Sequence, residues 1–231
     1  MIFYELFLKP YESYTTFQIF LEFIAATFGM LSVYFSIKKN IWVYPTGIIS
    51  TTLYVYILFV FGLLGDCMIN VYYTIMSIYG WILWSKSSED NVHVEVSWAN
   101  KKDWIFSIFL FILSLGLVSV VYYYKPLIDH QFVLTKEIEK ALGFSHLDWA
   151  NWLDIVTTSI FLVGMWQMAK RKVENWIFWI IGDIICVPMM IYKGLGITSL
   201  QYIVFTVMAF KGYYEWEKSS KEKVKNSMIT I

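Results

Sequence analysis

The sequence predicts an all-α polytopic membrane protein, with seven transmembrane helices arranged as a 3+1+3 parallel repeat. Three observations carry this reading. The 231 residues are 58% hydrophobic, 20% aromatic and only 16% charged, whereas about a quarter of a soluble domain is charged. Seven stretches have the length and apolarity that a bilayer-spanning helix needs, about 20 residues. The first three and the last three of them share a pattern of Gly, Asn and Trp.

The seven stretches are 16–37, 41–61, 66–84, 104–124, 149–168, 175–192 and 197–216. Glycine-containing turns at 62–65 and 193–196 separate the second from the third and the sixth from the seventh. The chain thus divides into an external N-terminus (1–15), a first three-helix bundle (16–84) and a middle section (85–148). The middle section holds a cytoplasmic loop, a connecting helix (104–124) and an external loop. A second bundle (149–216) and a basic cytoplasmic tail (217–231) follow. A short surface helix is expected over 135–142. Residues 1–12 carry acids, with no basic n-region or small-residue cleavage site, so no signal peptide is expected.

Seven crossings put the termini on opposite sides, and Lys and Arg in the loops choose which. One face receives Lys38, Lys39, Lys86, Lys101, Lys102, Lys170, Arg171, Lys172, Lys218, Lys221, Lys223 and Lys225. The other receives only Lys9, Lys125, Lys136, Lys140 and Lys193, and Lys211 lies inside the last span. The basic face is cytoplasmic, so the N-terminus is outside.

The composition also excludes function classes. Eighteen basic and 18 acidic residues cancel, which leaves no field to collect nucleic acid. Cys67 and Cys186 both lie in apolar runs, and no Cys/His cluster has metal-ligand spacing, so no disulfide scaffold, metal or cofactor is expected. Walker, dinucleotide and Gly-x-Ser-x-Gly motifs are absent, and His93, His130 and His146 all lie in loops. The chain reads as neither an enzyme nor an ATP-driven pump.

The repeat is specific in its spacing. Asn40 precedes Gly47 by seven residues, as Asn175 precedes Gly182. Gly62 and Gly80 are 18 apart, as are Gly194 and Gly212, and Trp84 and Trp216 follow four residues later. Gly29-Met30 and Gly164-Met165 each lie eleven residues before the Asn. One three-residue gap in the middle aligns the two halves. With a single linker helix, both triplets enter the membrane from the same side. Transporters of this kind bind substrate between the halves near the midplane. Close helix packing at glycine is the alternative reason for such a repeat.

Acids at membrane depth mark function or a structural partner. Glu22 and Asp154 lie near the external ends of their spans and read as interfacial. Asp183 is ninth of 18 in its span, near the midplane. Thr51, Thr52, Tyr73, Thr157, Thr158 and Thr206 share the middle third. Asn70 and Gln201 sit one turn in from the external face, either to bind a ligand or to pair with each other. Trp84, Trp104 and Trp216 end their spans and read as interface anchors. Trp176 and Trp179 share a helix face, and Trp179 lies one turn before Asp183. A flat cationic ring stacked on Trp179 would meet the Asp183 carboxylate. Trp42, and Asn40 beside it, take the matching place in the first repeat. The candidate site is therefore Trp176, Trp179, Asp183, Asn70, Tyr73, Gln201, Thr158, Trp42 and Asn40. Pro188 inside the sixth span frees the Ile184 carbonyl.

The second half reads Asn151-Trp-Leu-Asp-Ile-Val-Thr-Thr158, Val173-Glu-Asn-Trp-Ile-Phe-Trp179, Asp183, Lys193-Gly-Leu195 and Gly212-Tyr-Tyr-Glu-Trp216. The first carries Asn40-Ile-Trp42, Pro45 and Tyr79-Gly-Trp-Ile-Leu-Trp84. Over about residues 16–218 this pattern resembles the PnuC family of bacterial vitamin transporters, in which nicotinamide riboside is the usual substrate. The resemblance implies two three-helix bundles joined by one helix, an architecture like that of the SWEET sugar transporters. It implies a homotrimer in the bacterial inner membrane, and facilitated diffusion with a cytosolic kinase trapping the substrate for NAD biosynthesis. It also implies that Trp176, Trp179, Asn70 and Gln201 hold the ligand. Several relatives carry Gln in place of Asn70 and Asn in place of Asp183, and some carry thiamine, which leaves the two vitamins as alternatives. In a different class stands a membrane receptor or scaffold, using the basic 218–225 tail.

Overall fold

The computed structural model describes residues 4, 12, 14–60, 64–86 and 92–229, with side chains for all of these except 64–66 and 223–229. Of the turn expected at 62–65, residues 62 and 63 fall outside the described residues, as does most of the external N-terminus, and 64–65 already belong to a helix. The chain is all-helical. Its elements are α1 (Thr16–Ile37), α2 (Val43–Val60), α3 (Leu64–Ser85), α4 (Lys101–Tyr123), α5 (Lys125–Asp129), α6 (Lys136–Ala141), α7 (Trp149–Ala169), α8 (Asn175–Tyr192) and α9 (Gly196–Ile229). Five of them, α1, α2, α4, α7 and α8, are long and apolar enough to cross a membrane.

Local chemistry sets the helix starts. Thr15 and Gln18 form a capping box before α1, and Asn100 and Asp103 form another before α4. The Asp148 carboxylate accepts from the Asn151 amide at the start of α7. Such caps satisfy amides that have no partner within the helix. Thr135 caps α6, the short helix expected at 135–142. The last helix runs well past the apolar stretch that ends at Trp216. No Gly or Pro interrupts 213–229, and Glu217 pairs with Lys221 one turn on at 3.0 Å, so the helix outlasts its apolar face.

α1 packs on α2 and α2 on α3, as α7 packs on α8 and α8 on α9. The two sets meet where α3 contacts α7 and where α9 contacts α1, and α4 lies against α7. Helix boundaries in the two sets correspond at one constant spacing. Ile37 and Ala169, Val43 and Asn175, Val60 and Tyr192, and Leu64 and Gly196 are each 132 residues apart. The same spacing relates Lys39 (φ 57°) to Arg171 (φ 60°), the left-handed residues that end α1 and α7. It also relates the Cys67 Sγ contact to the Val55 carbonyl, 3.5 Å, to the Ser199 Oγ bond to the Val187 carbonyl, 2.9 Å. The sequence alignment needed a three-residue gap, and the structure needs none.

Trp84 and Trp216 are not interface anchors. Both are 0% exposed. The Trp84 Nε1 donates to the Met168 carbonyl at 3.2 Å, and the Trp216 Nε1 donates to the Ser36 carbonyl at 2.9 Å. Each indole thus caps the C-terminal end of the other set's first helix. The four residues stand in the same 132-residue relation, and Ser36 Oγ itself reaches Met168 Sδ at 3.5 Å.

Residues 92–97, between α3 and α4, form an extended strap across this end. Val92 O accepts from Ile41 N at 2.8 Å, and Val94 N donates to Lys39 O at 3.0 Å. Ser97 N donates to Arg171 O at 3.1 Å, and Ser97 O accepts from Val173 N at 3.0 Å. Val94 and Val96 are buried with Tyr44, Trp84, Trp176 and Trp216 in the main apolar cluster. The strap thereby ties the α1–α2 turn to the α7–α8 turn. Away from this end, Asp154 is partnered rather than simply solvated. Its Oδ2 accepts from Tyr122 Oη at 2.6 Å and pairs with Lys193 Nζ at 2.5 Å.

Candidate substrate site

The start of α8 is held firmly. Ala99 N donates to both Glu174 carboxylate oxygens, at 3.0 and 2.9 Å, and Asn175 Nδ2 donates to Lys172 O at 2.6 Å. Trp176 and Trp179 follow one turn apart, and each meets a glycine. A Cβ on Gly212 would lie 2.5 Å from the Trp176 ring, so only glycine admits that ring. Trp176 is 2% exposed and stands edge-on to Trp216, with centroids 5.5 Å apart. Trp179 lies against Gly164, where a Cβ would be 3.4 Å from its ring. One face of Trp179 stacks on Phe161, with centroids 5.2 Å apart and planes at 24°.

Beside Trp179 is a cavity of about 150 Å³. It lies between the two helix sets. The first set contributes Gly29 and Ser32 from α1, residues Val43 to Thr51 in part from α2, and Tyr73 and Ser77 from α3. The second contributes Met165 and Met168 from α7 and Trp179 from α8. Three of the lining hydroxyls donate to backbone carbonyls. Ser32 donates to Val43 O at 2.8 Å, Ser50 to Ala25 O at 2.7 Å and Thr51 to Gly47 O at 3.0 Å. Among the described residues, no Lys or Arg lines the cavity.

Of the residues expected from sequence, Tyr73 and Trp179 line this cavity. Asp183 is 3% exposed, one turn beyond Trp179, and close enough to Tyr73 and Tyr202 to interact electrostatically. Thr158 is buried on α7. Gln201 lies near the Tyr54 hydroxyl, and the Asn70 carbonyl accepts from Thr74. Asn40 and Trp42 belong to the α1–α2 turn, where Asn40 Oδ1 accepts from Trp42 N at 2.9 Å and Trp42 is 53% exposed. Sequence reasoning took Gly29 and Gly47 as packing marks and passed over Ser32, Ser50 and Ser77 as lining residues. The available signal was the i, i+3 spacing of small residues, Gly29 with Ser32 on α1 and Gly47 with Ser50 on α2.

A slot between helices, with one indole face and hydroxyl oxygens along its wall, suits a flat organic ring. Known proteins agree in kind. The family described as nicotinamide mononucleotide transporter matches residues 19–218. The chain is 26% identical over 210 residues to the nicotinamide riboside transporter PnuC of Escherichia coli K12, covering 88% of this chain and 87% of that one. It is 27% identical over 205 residues to PnuC of Neisseria mucosa, covering 86% and 72%. It is 20% identical over 200 residues to the riboflavin/roseoflavin transporter RibM of Streptomyces davaonensis, covering 84% and 83%. A crystal structure of the vitamin B3 transporter PnuC superposes with a TM-score of 0.64 at 25% identity, covering 88% of this chain and 83% of that one. With a family match over most of its length and a fold to suit, the chain belongs to the nicotinamide mononucleotide transporter family, whose members are membrane transporters and not enzymes.

Proposed function

We propose that this protein takes up nicotinamide riboside by facilitated diffusion, with intracellular phosphorylation of the substrate keeping the gradient inward. The observation that carries the reading is the Trp179–Tyr73 cavity between the two helix sets, in a chain whose relatives include nicotinamide riboside transporters. On this reading seven helices span the inner membrane as a 3+1+3 parallel repeat of SWEET-like architecture. α3 and α9 join the five more apolar helices as spans. The basic loops put the C-terminus in the cytoplasm. Three protomers assemble, each with its own path.

The flat pyridinium ring stacks on the face of Trp179 that Phe161 leaves open, and Asp183 supplies the counter-charge from one turn away. Stacking with cation–π attraction is worth about 1–2 kcal/mol in a dry site. The cavity's size favours nicotinamide riboside over a flavin, because about 150 Å³ takes one six-membered ring rather than three fused ones. Thiamine also offers single rings and a positive charge, and it is the competitor to test.

The experiment is uptake of labelled nicotinamide riboside into vesicles of purified protein. Uptake should saturate, should persist when the proton gradient is collapsed, and should resist excess thiamine. Trp179→Ala and Asp183→Ala should each lower it at least about tenfold without loss of protein. Full uptake by both variants removes Trp179 and Asp183 from the site, and no uptake by the wild type removes the substrate.

A further inference from the structure

The cavity exists because the two halves fill matched positions differently. At the 132-residue spacing, Gly29 corresponds to Phe161, Ser32 to Gly164, Gly47 to Trp179 and Ser50 to Gly182. In the second half each contact joins a ring to a glycine. Phe161 sits where a Gly182 Cβ would fall at 2.2 Å, and Trp179 sits against Gly164. In the first half each contact joins two small residues. A Gly29 Cβ would lie 3.1 Å from Ser50 Oγ, and a Gly47 Cβ would lie 3.0 Å from Ser32 Oγ. The first half lacks the two rings, and the cavity stands there instead.

We infer that this cavity is the slot for the substrate's ring, that Gly29 and Gly47 set its size, and that it selects a neutral carboxamide on the ring over a charged carboxylate. The inference rests on the uptake function proposed above and assigns the residues that define its specificity. Size comes first. A cavity of about 150 Å³ is the size of one that accepts benzene, so the ring enters and the ribose stays outside.

Polarity comes next. Ser32 and Ser50 spend their protons on the Val43 and Ala25 carbonyls, which leaves oxygen lone pairs for a ligand, while Thr51 Oγ1 already accepts from Thr74 at 2.8 Å. Tyr44 lines the same cavity, is 1% exposed, and its hydroxyl has no hydrogen-bond partner among the described residues. A buried hydroxyl in that state is a waiting partner. A carboxamide N–H₂ meets these acceptors. A carboxylate could accept from Tyr44 alone, and its full charge would be buried with no cation among the described lining residues.

The test rebuilds the second half's packing inside the first. Gly29→Phe with Ser50→Gly, and Gly47→Trp with Ser32→Gly, each place a ring against a glycine as the second half already does. Uptake of nicotinamide riboside, and competition by nicotinic acid riboside, are measured on wild type and both double variants. Monodispersity and thermal unfolding report the fold. Folded double variants should lose uptake at least about tenfold, and in wild type the acid should compete at least about tenfold more weakly than the amide. Gly47→Ala adds one methyl group and should raise KM about tenfold at unchanged protein level, so the test stands even if a double variant fails to fold. A wild-type KM in Gly47→Ala, or wild-type uptake in a folded double variant, overturns the slot. Equal competition by acid and amide overturns the selection against charge. Absence of uptake by the wild type overturns the proposed function and this inference together.

Discussion

The two helix sets share a skeleton and differ in what fills it. Helix ends, left-handed turn residues and capping indoles recur at one spacing. The backbone plan is therefore held by features that tolerate a range of side chains, such as turns, caps and strap hydrogen bonds. The filling is held by side-chain size, and there the halves part. Phe161 and Trp179 occupy the second half, and Gly29 and Gly47 leave the first half open. Burial follows the same division. The most apolar window of α7 is 61% buried, against 11% for its counterpart α1. α4 packs on α7, whereas α1 contacts α2 and α9. The second set is the filled wall, and the first is the side with space.

The largest predicted effect tests the filling. Phe161→Ala removes a ring wedged against Gly182 and should cost about 3–5 kcal/mol, read as unfolding of the purified protein in detergent. Gly29→Ala, at the matched position, should cost about 1 kcal/mol or less, because its methyl group faces only the Ser50 hydroxyl. Equal losses would mean that the halves are filled alike.

The next effect tests the skeleton. Built Cβ atoms at Gly80 and Gly212 fall 2.3 Å from the Tyr44 ring and 2.5 Å from the Trp176 ring. Gly80→Ala and Gly212→Ala should lose similar amounts, about 1–3 kcal/mol each. Gly116→Ala, with open space around it, should lose nothing and serves as the reference.

The smallest effect sharpens the match. Trp84→Phe and Trp216→Phe each delete one indole hydrogen bond and should each cost about 0.5–1.5 kcal/mol. A loss in one without the other would show that the two caps are not equivalent.

The helices were legible in the sequence because hydropathy and turn residues report them directly, and 16–37 and 175–192 coincide with α1 and α8. The register was not. Gly29 and Gly47 are 18 apart, as are Gly164 and Gly182, and matching the letters gave a spacing three residues too long. The structure shows why. A close contact needs a small residue on one helix or the other, and the halves place their glycines on opposite partners, one helical turn out of step. Identity of residue misled where identity of contact would not have. Trp84 and Trp216 misled for a related reason. A tryptophan at the end of an apolar stretch looks the same in a sequence whether it faces headgroups or caps a neighbouring helix. The cavity was half visible. Tyr73 and Trp179 carry chemical character that sequence reading seeks, whereas Gly29, Ser32, Gly47 and Ser50 act by being small.

The constant 132-residue register also bears on why both halves belong to one polypeptide. A three-helix chain that paired with its own copy would carry the same residue at each matched position. It would have two wedges or two openings, and an asymmetric guest would fit it equally well either way round. Joining the copies end to end lets one keep the aromatic residues and the other give them up. The guest then has a single orientation, and the two copies are free to diverge under separate constraints.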